Sequence, residues 1–275
     1  MRAHLGGSSR ASLVAARIAL DAAVKGVDAK TASTLSSELF FITDVLGSNI
    51  SVRRALTDPS RDAQSKSVFV KDLLASKVGA PALGLLTEIS GLRWSGAKDL
   101  VQVIEQLAIE AEASAANISG ELDRVEEEIF VVFNTITNSS ELRKAFKSDA
   151  VQAKSKLAQE ILKNASPSTS KLLSHMVNSW RGRSIEATFA DYQWALAARR
   201  NRVIALVKVA APITQDQQTR LVTALTSKVG QPVRINIEID PHVIGGVSVK
   251  FADEIVDGSI SNRLAGAARA LAGSK

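Results

Sequence analysis

The chain contains no cysteine, and that absence removes several kinds of chemistry together. There can be no disulfide framework, thiolate metal site or cysteine nucleophile, a composition that suits a reducing compartment. Aromatic residues are also scarce, at 4% of 275 residues with one tyrosine. Set against abundant alanine, serine, leucine and valine, this scarcity points to closely packed helices rather than a β-sandwich. No run of residues approaches the roughly 20 apolar positions that cross a bilayer. The opening MRAHLGGSSR lacks the apolar stretch of a signal peptide. The expectation is a chain that is soluble by itself and meets a membrane only through a partner. Concentrated charge is missing too. The 34 basic and 28 acidic residues leave a net +6, spread as +1 over residues 1–120, +3 over 121–205 and +2 over the remainder. Nucleic-acid binders gather positive charge on one face or tail, so the pI near 9.6 argues only weakly for that class.

What is present is helical periodicity. From Ser9 to Val24, Leu13, Val14, Ala16, Ile18, Leu20 and Val24 interleave with Arg10, Arg17 and Asp21, which describes an amphipathic helix closed near Gly26. A second helix runs to Leu46 with Leu35, Leu39, Phe40 and Ile42 on its apolar stripe. Shorter helices are predicted at about 50–56, 60–77, 80–91 and 98–116, punctuated by Asp58-Pro59, Gly79 to Pro81 and Gly96. They form a bundle of about six helices.

The pattern then repeats. A shift of 90 residues sets Glu38, Phe40, Arg53-Arg54-Ala55-Leu56 and Ser65-Lys66 against Glu128, Phe130, Arg143-Lys144-Ala145-Phe146 and Ser155-Lys156. A shift of 87 sets Leu85-Leu86 against Leu172-Leu173, with Trp94 and Trp180 one step out of register. Three segments follow: residues 1–116 as an N-terminal bundle, 117–201 as a repeat-related helical segment, and 202–275 as a C-terminal α+β domain. The helix opening at Gly120 is the expected bridge between the two helical segments.

After Arg202 the period becomes extended. Val203 to Val209 is nearly continuous in β-branched and aliphatic residues, and predicts a strand buried on both faces for much of its length. Thr214 and Gln217 have the spacing of a capping box that opens a helix through Leu221, Val222, Leu225 and Val229. In Val233 to Asp240 the aliphatics Val233, Ile235, Ile237 and Ile239 alternate with polar residues, placing four apolar side chains on one sheet face. Asp240-Pro241 breaks that strand, and Gly245-Gly246 reads as a hairpin turn into a strand at Val247 to Phe251. A short strand at Glu254 to Val256 precedes an Asp257-Gly258 turn, and Ser259 opens a last helix carrying Ile260, Leu264 and Leu271. The fold class is mainly α, an internally duplicated helical bundle followed by a small β-α-β-β-α unit.

This last region resembles the C-terminal signature of the δ subunit of F-type ATP synthases, whose mitochondrial counterpart is the oligomycin-sensitivity conferring protein. The matching residues are the Val-x-Ile-x-x-x-Ile-Asp-Pro run from Val233 to Pro241, then Val243, Ile244, Gly245-Gly246, Val249-Lys250 and Asp257-Gly258-Ser259. Ala252 stands where the family usually has glycine, which implies a slightly different turn. The usual family chain has one six-helix bundle, so the duplication is a departure, of the long kind associated with actinobacteria. There the δ portion is either free or fused to a membrane-anchored b subunit.

No motif competes with that resemblance. His4, His175 and His242 have no metal-binding spacing and read as surface or turn residues. Gly245-Gly246 belongs to no phosphate-binding loop. Glu126-Glu127-Glu128 reads as a solvated face near a helix start. Arg199, Arg200 and Arg202 read as the end of a long helix. No serine sits in a nucleophile elbow. The chain is therefore expected to be no enzyme and to carry no catalytic, cofactor or metal site. The alternative reading is a helical nucleic-acid-binding or regulatory adaptor.

The resemblance implies a peripheral-stalk subunit that holds the catalytic head to the b stalk against the torque of rotation, so that proton-driven rotation yields ATP. Its implied partners are the N-terminal segments of the head's α subunits and the b subunit. Its implied place is the cytoplasmic face of the bacterial cell membrane, attached through the complex. By position in the family's bundle, the groove residues would be Leu13, Ile18 and Leu20 of the first helix and Leu100, Val101, Ile104 and Leu107 of the sixth, with plain core packing as the competing role. Ile255, Ile260 and Leu264 would face the b stalk, and Asp240, Pro241, Gly245, Gly246, Asp257 and Gly258 would shape the turns.

Overall fold

A computed structural model describes residues 5–147, 157–158, 160–161, 163–178, 183–199, 203–229, 233–240, 246–251 and 254–257. The chain divides into two compact units, Met1–Leu196 and Ala197–Lys275. Among the described residues there are eleven helices and four strands.

The first unit opens with α1 (Gly7–Val24), α2 (Ala29–Ser48), α3 (Ile50–Thr57), α4 (Ala63–Leu74), α5 (Ala80–Ser90) and α6 (Ala97–Ile118). Local chemistry sets the ends. The Asp28 and Asp62 carboxylates each accept the amide three residues on, from Thr31 and Ser65 at 2.7 Å, which satisfies a free donor at the starts of α2 and α4. Pro81 lies in the first turn of α5, where no amide proton is needed. Gly26 and Gly120 follow α1 and α6 with φ of 73° and 76°, left-handed angles that disfavour a residue with a Cβ.

The repeat is structural. After α6 come α7 (Leu122–Asn138), α8 (Ser140–Lys147), α9 (Pro167–Asn178) and α10 (Ile185–Ala198). In order these correspond to α2, α3, α5 and α6. Glu38 on α2 accepts the backbone amide of Gly79, at the start of α5, at 2.8 Å. Ninety residues on, Glu128 on α7 accepts the amide of Ser166, at the start of α9, at 2.9 Å. Two carboxylates thus make the same long-range bond in both copies, although the residues they hold are glycine and serine.

The counterpart of α1 in the second copy is α6 itself. Both helices end at a left-handed glycine, Gly26 and Gly120, 94 residues apart. The intervening turn is four residues shorter in the second copy, which restores the shift of 90 by Glu128. Hence α6 closes the first bundle and opens the second. It packs on α1, α2 and α3 and also on α7 and α9, and is buried on every side along most of its length. The division drawn after Ala116 falls inside α6, and the bridge is this helix rather than the one that opens at Gly120. One hydrophobic core follows, running from Leu13 and Leu20 through Leu100, Ile104 and Leu107 to Leu172, Met176 and Tyr192. Each such aliphatic contributes about 1.5–3 kcal/mol by burial.

The second unit holds a four-stranded sheet in the order β2-β1-β3-β4. These are β1 (Val203–Val209), β2 (Val233–Ile239), β3 (Val247–Phe251) and β4 (Glu254–Asp257), with α11 (Gln215–Val229) between the first two. The capping box is formed: the Thr214 amide donates to Gln217 Oε1 at 2.8 Å, and the Gln217 amide to Thr214 Oγ1 at 3.3 Å. Strand β1 runs parallel to β2 and antiparallel to β3, with Val207 opposite both Ile237 and Val249.

This order corrects the expected hairpin. β2 and β3 are separated by β1, so the two strands on either side of Gly245-Gly246 do not pair with each other. The reason is apolar content: Ala205, Val207 and Val209 are all buried, and a strand so apolar belongs between two neighbours. Its other face is less covered than expected, for Leu206 and Lys208 are half exposed. The Asp240 amide donates to Val209 O at 2.9 Å, and Lys208 reaches Asp240 at 3.3 Å and Glu238 at 3.5 Å. Burial works against the Lys208 charge, yet these two carboxylates hold its pKa above the ordinary value. Gly246 has φ of 83°. The four aliphatics of β2 are not equally buried: Val233 is in the core, Ile235 and Ile237 are half-buried, and Ile239 is 53% exposed at the strand's end. The two-residue link between Phe251 and Glu254, with Ala252, and the predicted last helix lie outside the described residues.

Candidate partner-binding site

Among the described residues no group of histidine and carboxylate side chains is placed to hold a metal ion, and no helix is long and apolar enough to cross a membrane. A small recess between α7, α8 and α9 is lined only by apolar residues such as Ile136, Phe146, Leu173 and Met176, with no polar group to orient a ligand. The chemistry worth following is at the helix surfaces of the first unit.

The polar residues of α6 are buried with its apolar ones. Glu105, Gln106, Glu110 and Glu112 are at most 1% exposed, a placement tolerated only when each charge is paired. Glu110 takes Arg17 of α1 at 2.5 and 2.8 Å and Gln106 at 2.6 Å. Arg17 also lies 4.2 Å over the ring of Trp194 on α10. Glu105 takes Arg183 at 2.8 Å, and Arg183 reaches Asp191 at 3.2 Å. Burial alone would lower the Arg183 pKa, but the two carboxylates hold it above its usual value. Glu112 takes Lys171 of α9 at 2.9 Å, Ser168 at 2.7 Å and Ser33 of α2 at 3.0 Å. The buried acids thus tie the shared helix to α1, to α2, to α9 and to Arg183 just before α10.

These ties show what covers the outer side of the second bundle. Helix α2 of the first copy lies across α6 and α9. Lys171 donates to the Ser33 carbonyl at 2.8 Å and also to its hydroxyl. Phe40 stacks on His175 with ring centroids 3.9 Å apart, and His175 Nε2 stands 3.5 Å from Asp44. His175 also meets the Tyr192 hydroxyl at 3.1 Å. The face formed by α6 and α9 is therefore occupied, and the occupant is an amphipathic helix of the same chain.

The same face of the first copy is open. Counting back 94 residues, Glu105, Ala108 and Glu112 of α6 become Ala11, Val14 and Ile18 of α1. Counting back 87, Lys171 and His175 of α9 become Gly84 and Glu88 of α5. Helices α1 and α5 pack together as α6 and α9 do. Ala11, Gly84 and Glu88 are exposed, and Val14 and Ile18 are 51% and 64% exposed. Two large aliphatics one turn apart on one helix form an apolar face that none of the described residues of the first unit covers.

The groove residues proposed from sequence divide accordingly. Leu13, Leu20, Leu100, Ile104 and Leu107 are at most 1% exposed and Val101 is 5% exposed, so all six are core of the bundle. Ile18 alone faces outward. The reason is that α6, enclosed by two bundles, has no outer side, and that packing turns Leu13, Ala16 and Leu20 of α1 into the core. Val14, Gly84 and Glu88 were missed; the signal available was the repeat itself, which pairs them with covered residues of the second copy. Of the other candidates, Ile255 lies on β4, Asp240 follows β2, Asp257 ends β4, and Pro241, Gly245, Gly258, Ile260 and Leu264 lie outside the described residues.

Two more readings change. His175 is no surface or turn residue; it is enclosed between α2 and the second bundle. Nor are the three consecutive glutamates a solvated face. Only Glu127 is exposed, Glu126 is buried, and Glu128 holds the start of α9. Burial works against the Glu128 charge, but hydrogen bonds from Thr169, Ser166 and Arg124 hold its carboxyl below the usual range.

Comparison with known proteins places these features in context. The family described as ATP synthase delta (OSCP) subunit matches residues 109–271, which begin inside α6. Relatives match more widely. The chain is 38% identical over 269 residues to the ATP synthase subunit delta of Streptomyces coelicolor, covering 97% of this chain and 98% of that one. It is 37% identical over 271 residues to that of Kineococcus radiotolerans, with the same coverage of each. The Nocardioides sp. subunit delta is 39% identical over 246 residues, 88% of each chain. The likeness thus includes the extra helices before residue 109. A chain in the Toxoplasma gondii mitochondrial ATP synthase hexamer covers 59% of this chain and 96% of its own length, at 19% identity and a TM-score of 0.35, too slight a likeness to carry an argument.

Proposed function

The chain belongs to the ATP synthase delta (OSCP) family, and from that membership we propose that it is the non-catalytic peripheral-stalk subunit of a bacterial F-type ATP synthase. It tethers the catalytic head to the b stalk, so that rotation of the central shaft works against a fixed head. The observation that supports a tethering role is the uncovered apolar face of α1 and α5, whose counterpart on α6 and α9 already holds a helix. Helix-in-groove recognition is the fitting mode, and the occupant is the amphipathic N-terminal segment of a head α subunit. Of the two copies, the first makes this contact, because the second has its face filled by α2.

The second unit takes the end of the b stalk, through the sheet that carries Ile255 and the region of Ile260 and Leu264. Attachment at the cytoplasmic side of the cell membrane then follows from the complex. Sustained torque calls for slow release at both ends of the tether, and large buried apolar area supplies it.

The test uses the whole chain and a peptide of the α subunit's N-terminal segment. Ile18→Asp and Val14→Asp place a charge on the open face without touching the core. Both are expected to weaken peptide binding by at least tenfold, since burying an unpaired carboxylate costs more than about 1.4 kcal/mol, while the melting temperature stays unchanged. Full peptide affinity in both variants would refute this placement of the head contact.

A further inference from the structure

We infer that selectivity at the open face of the first bundle is set by Glu88, with Gly84 beside it, and that the docked helix carries a lysine or arginine facing Glu88. This rests on the reading that a partner helix lies along α1 and α5.

In the occupied copy the α9 residues are Lys171 and His175, and α2 answers them with chemistry of complementary sign. Asp44 of α2 stands 3.5 Å from His175 Nε2. The Ser33 carbonyl and hydroxyl accept from Lys171, and Glu112 accepts from the same ammonium at 2.9 Å. The polar pattern of that interface sets an ammonium and an imidazole on α9 against carboxylate, hydroxyl and carbonyl oxygens on the side facing them.

In the open copy both α9 positions are changed in sign or size. His175 becomes Glu88, an exposed acid that makes no ion pair among the described residues. Lys171 becomes Gly84, where an added Cβ would find nothing within 4 Å. Across from them the α6 acids Glu105 and Glu112 become Ala11 and Ile18. The open face is therefore apolar at Ala11, Val14 and Ile18, with bare backbone at Gly84 and a negative charge at Glu88. An α2-like helix bearing an acid at the Asp44 position would meet Glu88 with like charge, whereas one bearing a cation there gains an ion pair that becomes partly desolvated on docking.

The experiment measures affinity of the full chain for the α-subunit N-terminal peptide at low and at physiological salt. It uses Glu88→Lys, Glu88→Gln and Gly84→Leu in the chain, and a set of peptides in which each lysine or arginine is replaced singly by glutamate. Both Glu88 and Gly84 are exposed on a helix, so the variants are expected to fold, and thermal melts check that they do. The expected result is a loss of about tenfold for Glu88→Lys and less for Glu88→Gln, shrinking as salt rises. One charge-reversed peptide is expected to bind Glu88→Lys better than the wild-type chain. Gly84→Leu puts a bulky side chain where a docked helix would approach the backbone, and weakens binding regardless of peptide charge. If Gly84→Leu weakens binding while Glu88→Lys does not, the charge selectivity is overturned and the docking face stands. If Glu88→Lys weakens binding but no reversed peptide rescues it, no cation faces Glu88 and the inference is again overturned. If neither position affects binding, the docking face itself is misplaced.

Discussion

Replacing Lys171 by methionine leaves Glu112 charged inside the bundle with only hydroxyl donors for company. Glu112 is 1% exposed and takes three partners: Lys171 at 2.9 Å, Ser168 at 2.7 Å and Ser33 at 3.0 Å. Breaking a fully buried pair from one side costs about 3–5 kcal/mol. The Lys171 side chain is 28% exposed, so water reaches the vacated ammonium position and screens part of the loss, which leaves about 2–3 kcal/mol. For a unit the size of Met1–Leu196, each kcal/mol lowers the melting temperature by about 2–4 °C. Scanning calorimetry of the full chain should therefore show the first unit melting roughly 4–12 °C lower. The companion variant decides the cause. In Lys171→Met/Glu112→Gln the acid is neutral and still accepts from Ser33 and Ser168, so most of the loss should return. A single variant melting within about 2 °C of wild type, or a double variant less stable than the single one, would refute the account of α6 as a helix whose buried acids must be matched.

Two further expectations concern the helix starts. Glu128 has its carboxyl held below the usual range, so its contribution to stability is present above the ordinary glutamate value near 4.3 and is lost as pH falls through the depressed folded value. Glu128→Gln should melt lower than wild type at neutral pH, with the gap closing in acid; a gap that does not change with pH would remove the charge from the explanation. Thr214→Ala opens the capping box of α11 and should cost about 0.5–2 kcal/mol, seen as faster amide hydrogen exchange along α11, with Thr214→Ser close to wild type. Unaltered exchange in the alanine variant would mean that the reciprocal bonds seen at Thr214 and Gln217 are not what holds that end.

Much of the fold was legible in the sequence because its signals are local. The periodicity from Ser9 to Val24 marks α1, Asp28 and Gly26 mark its neighbour's start and its own end, and Thr214 with Gln217 announces α11. Strand order was not legible, since alternation at Val233 to Ile239 fixes which side chains share a face and says nothing about which strand lies alongside. The burial of Ala205, Val207 and Val209 is what places β1 between β2 and β3. The site was half legible for a related reason. Hydrophobic spacing on α1 names Leu13, Val14, Ile18 and Leu20 alike, and only packing separates the inward Leu13 and Leu20 from the outward Val14 and Ile18. The buried acids of α6 were opaque because their partners, Arg17, Lys171 and Arg183, lie between 59 and 93 residues away.

That α6 serves two bundles has a consequence for how such a chain lengthens. Two separate six-helix bundles would need twelve helices and a linker, and a linker is where a tether under torque would flex. Using one helix twice, the chain adds the helices α7–α10 and about 90 residues, with α6 continuous between old and new. The same step taken again would extend the first unit by another such increment.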